Sequence, residues 1–129
     1  MAELGQHVAP LAQLTSTHGT FFVTGNHEYY SGAHSWIDKL RSLGIQVLMN
    51  DHVVIDHRLD SQDVEAAKIV VAGVADHSAH HFDESHRSNP AAALANAPPD
   101  AAMRLLLAHQ PRSAPAAADA GFHLQLSGH

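Results

Sequence analysis

Phe21-Phe22-Val23-Thr24-Gly25-Asn26-His27-Glu28 is the stretch whose reading decides the fold. An apolar, β-prone run stops at a glycine, and three side chains able to bind metal or move protons follow at once. A strand that buries Phe21 to Val23 on both sides delivers Asn26, His27 and Glu28 to the carboxyl edge of a sheet, where open α/β folds keep their ligands. Gly25 lets the backbone turn tightly beneath the Asn-His pair.

Working outward, the apolar positions Val8, Leu11, Ala12 and Leu14 recur at helical spacing and predict an amphipathic helix between Gln6 and Ser16, with Pro10 limiting how early it begins. On the other side, Trp36, Ile37, Leu40 and Leu43 define one face of a second helix, which Gly44 terminates. Ile45 to Leu48 reads as a strand, Asn50-Asp51 as a turn, and Val53-Val54-Ile55 as a further strand. Leu59 to Glu65 is polar and predicts a hairpin loop before the apolar strand Lys68 to Val74. Ala75 to Pro99 predicts a long surface excursion with a short helix from Ala91 to Ala97. Arg104 to Ala108 is another buried strand, Ala114 to Ala120 a helix closed by Gly121, and Phe122 to Leu126 a last strand. The sum is an α/β domain over residues 1–129, a mixed sheet with flanking helices, without internal repeat or dividing linker.

Composition narrows the function. A chain of 129 residues that is 45% hydrophobic can bury a core as one domain. The formal charge of -6 argues against binding to a nucleic-acid backbone, which needs a basic face. Without cysteine, disulfides and thiolate zinc sites are excluded. The longest apolar run, near Ile69 to Ala75, is far shorter than a membrane span, so the chain carries no transmembrane segment and reads as soluble. Neither a nucleophilic serine or cysteine turn nor a phosphate-binding glycine loop is present.

The chain holds thirteen histidines, and three of them follow strands: His27 after Val23, His109 after Leu107 and His129 after Leu126. Strands side by side in one sheet bring such ends to one pocket. Imidazole and a side-chain amide oxygen suit zinc, manganese or iron. The cluster His77, His80, His81 and His86 with Asp76, Asp83 and Glu84 matches no known cage spacing, and a solvated loop accounts for it more simply. His52 and His57 read as exposed partners of nearby acids, and Trp36 as helix core. His7, His18, His34 and His123 carry no argument.

Gly25-Asn26-His27-Glu28, Leu106-Leu107-Ala108-His109-Gln110-Pro111 and Ser127-Gly128-His129 resemble, in this order, the later motifs of calcineurin-like metallophosphoesterases. Tyr29-Tyr30-Ser31-Gly32, Trp36, Leu48-Met49-Asn50 and Ala72-Gly73-Val74-Ala75-Asp76 resemble a bacterial branch of that family often anchored to membranes upstream. The resemblance implies part of a four-layer α/β/β/α sandwich and hydrolysis of a phosphomonoester or phosphodiester by two divalent metal ions, Mn, Fe or Zn. It implies Asn26, His109 and His129 as metal ligands and His27 as the catalytic histidine, with Glu28 orienting His27. A solvated acid or a cap on the following helix accounts for Glu28 equally well.

The family's early Asp-x-His and Gly-Asp-x-x-Asp motifs, the second of which supplies the carboxylate bridging both metals, have no counterpart, since no aspartate precedes Phe21. The last motif, Gly-His-x-His, stops at its first histidine. The chain therefore reads as the later part of a longer domain, expected to hold one metal or none and to hydrolyse poorly. A catalytically silent fragment that binds metal weakly or self-associates through an exposed sheet edge is the alternative. The sequence assigns no compartment.

Overall fold

Six strands form two sheets among the described residues of the computed structural model, which are 9–30, 32–57 and 67–129. Strands β1 (Phe21–Phe22) and β2 (Gln46–Val47) pair in parallel. Strands β3 (Asp51–His57), β4 (Ala67–Gly73), β5 (Met103–Leu107) and β6 (Leu124–Leu126) lie side by side in that order. The first pair of this sheet is antiparallel and the other two are parallel, which makes the sheet mixed.

Helix α1 covers Asn26–Tyr30 and α2 covers Ala33–Ser42; α3 is the single turn Pro90–Ala93, and α4 is Ala114–Ala120. Gly44 and Gly121 take φ values of 84° and 98° just past the ends of α2 and α4. Only glycine enters that left-handed region without a steric penalty, which is why both helices stop where they do. Crossovers through α3 and through α4 connect the parallel strands, as such pairs require.

The two faces of β4 explain how the layers meet. Val70, Ala72 and Val74 alternate onto one side; Ala72 and Val74 pack with Ala93, Leu106, Ala108 and Ala117 into a core beneath α3 and α4. Gly73 lies on the opposite face, where an added Cβ would stand 2.5 Å from Val23 Cγ1 and 2.6 Å from Leu48 Cβ. The two-stranded sheet is thus seated directly on the β4 backbone, in room made by a missing side chain. A second core, formed by Tyr29, Ala33, Ile37, Leu40, Ile45, Val47, Ala75 and Ala79, joins α2 to that small sheet.

Several sequence expectations change. Over the described part of the first expected helix there is only a 3-10 segment, Ala9–Gln13, with no buried residue, and Leu11 and Leu14 are exposed. The hairpin joining β3 and β4 is antiparallel as expected, while its loop lies outside the described residues. The excursion after β4 is less solvated than its composition suggests. It contains 3-10 turns at Ala79–His81 and Glu84–His86, and it buries Asp76, Ala79, Pro90 and Ala93. The short helix within it ends at Ala93 rather than Ala97. His52 is half-buried, with Nδ1 2.8 Å from the Ala93 carbonyl oxygen, rather than an exposed partner of an acid.

Candidate metal centre

The turn after β1 is built from the inside. Thr24 is fully buried; its hydroxyl accepts from the Asp76 N–H at 3.2 Å and donates to the Tyr29 hydroxyl oxygen at 3.4 Å. Glu28 sits in the first turn of α1, and its Oε2 accepts from the Gly25 N–H at 3.1 Å. That is the returning half of a capping box, satisfying a donor that a helix start would otherwise leave unpaired. Asn26 opens the helix, and the side chain of His27 beside it is exposed.

The ends of β5 and β6 come to the same place. Asn26 Oδ1 lies 3.2 Å from His109 Nε2. The rings of His109 and His129 meet edge to face with centroids 4.9 Å apart. An added Cβ on Gly25 would stand 3.0 Å from three atoms of the His109 ring, so the backbone of the first turn lies against that imidazole. Asn26, His109 and His129 therefore share one rim, although β1 belongs to the smaller sheet. The sequence reading placed all three strands in one sheet; the structure brings the turns together across two sheets packed at Gly73.

Neighbouring side chains hold these turns. Gln110 Nε2 donates to Asp76 Oδ1 at 2.9 Å, tying the residue after His109 to the end of β4. Gln125 Nε2 donates to Ser127 Oγ at 2.9 Å before His129. Asp76 Oδ2 accepts from the Ser78 N–H at 3.0 Å and from the Ser78 hydroxyl. Burial alone would raise the Asp76 carboxyl, but the hydrogen bonds from Ser78 and Gln110, together with nearby His109, outweigh it and hold the group below the ordinary aspartate range. The sequence reading placed Asp76 in a solvated cluster. It is 1% exposed: its backbone N–H donates to buried Thr24, and its carboxylate accepts from Ser78 and Gln110.

The donor set at this rim suits a cation. Two imidazoles and one amide oxygen are borderline ligands, and the Asn26 and His109 donor atoms already lie at about the spacing that two ligands of one first-row ion adopt. No aspartate or glutamate carboxylate joins the three as a ligand-distance group among the described residues. Such a group does occur elsewhere, at His34, Asp83 and His86, whose donor atoms all lie within 4.8 Å of one another. Burial lowers His86 below the ordinary imidazole range, with Asp83 opposing and His34 reinforcing the shift. Sequence reasoning missed this grouping because His34 stands 49 residues from Asp83; only the Asp83-x-x-His86 spacing was visible.

Comparison with known proteins places these motifs among relatives. The chain is 44% identical to a transmembrane protein with metallophosphoesterase domain from Bos taurus, over 95% of this chain and 28% of that protein. A protein of the same description from Danio rerio is 32% identical, over 100% of this chain and 29% of its own length. An uncharacterised metallophosphoesterase of Campylobacter jejuni is 30% identical, over 98% of this chain and 31% of its length. The chain thus spans less than a third of these relatives. No family model and no solved structure matches it. Among the described residues no helix is long and apolar enough to cross a membrane.

Proposed function

The chain belongs to the calcineurin-like metallophosphoesterase family, and we propose that it supplies the later metal-ligating motifs of a domain that hydrolyses a phosphomonoester or phosphodiester. The observation that carries this reading is the 3.2 Å approach of Asn26 Oδ1 to His109 Nε2, with His129 packed on the same imidazole. Asn26, His109 and His129 would hold a divalent ion, either Mn, Fe or Zn. When bound, such an ion supplies charge for the phosphoryl oxygens and acidifies a water molecule.

The chain's own residues would do the rest. His27, exposed one residue after Asn26, meets the phosphate ester and protonates the leaving oxygen. Glu28 acts here through the backbone: by accepting from Gly25 N–H it fixes the turn from which Asn26 and His27 project. Asp76 and Gln110 position His109 by locking the turn that follows it. On this reading the two sheets meeting at Gly73 would form the inner layers of a four-layer sandwich, with α2 and α4 outside them.

One observation favours a second reading, a weak metal-binding or self-associating module without turnover. Among the described residues no aspartate or glutamate stands at ligand distance with Asn26, His109 and His129, so the rim offers no carboxylate to bridge two ions. Hydrolysis of a chromogenic phosphodiester in Mn2+ or Zn2+ separates the two. Turnover lost in His27→Ala supports the esterase, and none at any metal loading supports the module.

A further inference from the structure

We propose that His34, Asp83 and His86 form a second site, for a zinc-class divalent cation, that shares no residue with the Asn26, His109 and His129 rim. The three come from two elements far apart in sequence: His34 from the first turn of α2, and Asp83 and His86 from the cap and the last position of the Glu84–His86 turn.

The oxygens of Asp83 are divided. Oδ1 accepts from the Ser85 N–H at 3.0 Å and the Ser85 hydroxyl at 2.6 Å, which fixes the carboxylate. Oδ2 is left facing both imidazoles, 3.2 Å from His34 Nε2 and 3.6 Å from His86 Nε2. Ligand atoms on a tetrahedral zinc ion with bonds of about 2.0–2.1 Å lie about 3.3 Å apart. The two observed spacings bracket that value, so the carboxylate and both rings need little movement to close on one ion.

His86 is held for the task from behind. Its side chain is 12% exposed, and its Nδ1 lies 2.7 Å from the Tyr29 hydroxyl. A ligating imidazole keeps its proton on the other nitrogen and gives it to an acceptor, which orients the ring. The Tyr29 oxygen is that acceptor: with a cation on Nε2, His86 carries its proton on Nδ1 and donates it to Tyr29. The side chain of His34, 74% exposed, is the one free to swing in, and its ring already lies 4.9 Å from that of His86. Three protein ligands leave a fourth position for water, the coordination of open zinc sites.

A surface His34–Asp83 hydrogen bond beside a His86–Asp83 ion pair would look similar without metal, and calorimetric titration of the chain with Zn2+ tells the two apart. The site predicts that His34→Ala, a change at an exposed position that leaves the fold intact, weakens one class of zinc binding at least about 10-fold. Asp83→Asn abolishes that class, and Tyr29→Phe weakens it about 10-fold while the circular dichroism stays unchanged. His109→Ala leaves it in place. An isotherm unaltered by both His34→Ala and Asp83→Asn overturns the proposal, as does loss of all zinc binding in His109→Ala.

Discussion

Asn26 Oδ1 and His109 Nε2 are 3.2 Å apart across 83 residues of sequence and across two different sheets. The contact exists because Gly73 lets Val23 and Leu48 rest on the β4 backbone, and because Gly25 lets the turn after β1 lie against the His109 ring. Each of these approaches can be tested separately.

Gly73→Ala puts a methyl group where Val23 Cγ1 and Leu48 Cβ stand at 2.5 and 2.6 Å, and neither is the loose end of a flexible side chain. Overpacking of this kind costs about 1–3 kcal/mol. Urea unfolding should show the midpoint falling while the slope stays constant, since the surface exposed on unfolding is unchanged.

Gly25→Ala tests the same geometry closer to the site. Its Cβ meets three atoms of the His109 ring at 3.0 Å, so the imidazole must give way by a few tenths of an ångström. Stability should drop by only about 1 kcal/mol, whereas Mn2+ affinity should fall about 10-fold as the ring leaves Asn26. Calorimetry on the folded variant measures both.

His27→Ala should lower phosphodiester turnover by about 10²–10⁴-fold, the range for removing a proton-transfer group. Metal affinity should stay as in the parent chain, because the residue is assigned to the leaving oxygen and not to the ion. Parallel rate and binding measurements separate this outcome from loss of the site.

Asp76 predicts a pH dependence. Its folded pKa lies below the ordinary aspartate value, so its contribution is complete above about pH 4, where the unfolded chain is also ionised, and disappears as pH falls through the lower folded value. Asp76→Asn should cost about 2 kcal/mol at neutral pH, because hydrogen bonds to a charged acceptor are lost. The difference from the parent should shrink below pH 4 in thermal unfolding series.

How much of this was legible in the sequence depends on the range of the physics. Gly44 and Gly121 end their helices for local reasons, so the positions of α2 and α4 could be read directly. The apolar runs gave β3, β4 and β5 within a residue or two, because burial on a pleated surface leaves a short-range pattern. His109 and His129 were legible as strand-end residues. The routes that bring sites together were not. Gly25 and Gly73 act by close approach to residues distant in sequence, and a glycine's tertiary neighbour leaves no trace in local spacing. Asp76 was misread as solvated for the same reason, since its partners Thr24 and Gln110 lie 52 and 34 residues away. The upstream apolar spacing predicts a helix, but Leu11 and Leu14 are exposed among the described residues.

The edge strand β6 pairs only with β5 among the described residues, and it exposes Leu124 and Leu126. An open apolar edge favours pairing with a second chain. Sedimentation of the chain should show association that Leu124→Lys reduces, with the metal site retained.

The most direct test of the central claim is an anomalous-difference map from crystals of the chain grown with Mn2+. The account predicts a peak about 2.1–2.3 Å from Asn26 Oδ1, His109 Nε2 and a ring nitrogen of His129. A map with these side chains ordered and no manganese among them, at saturating metal, would contradict it.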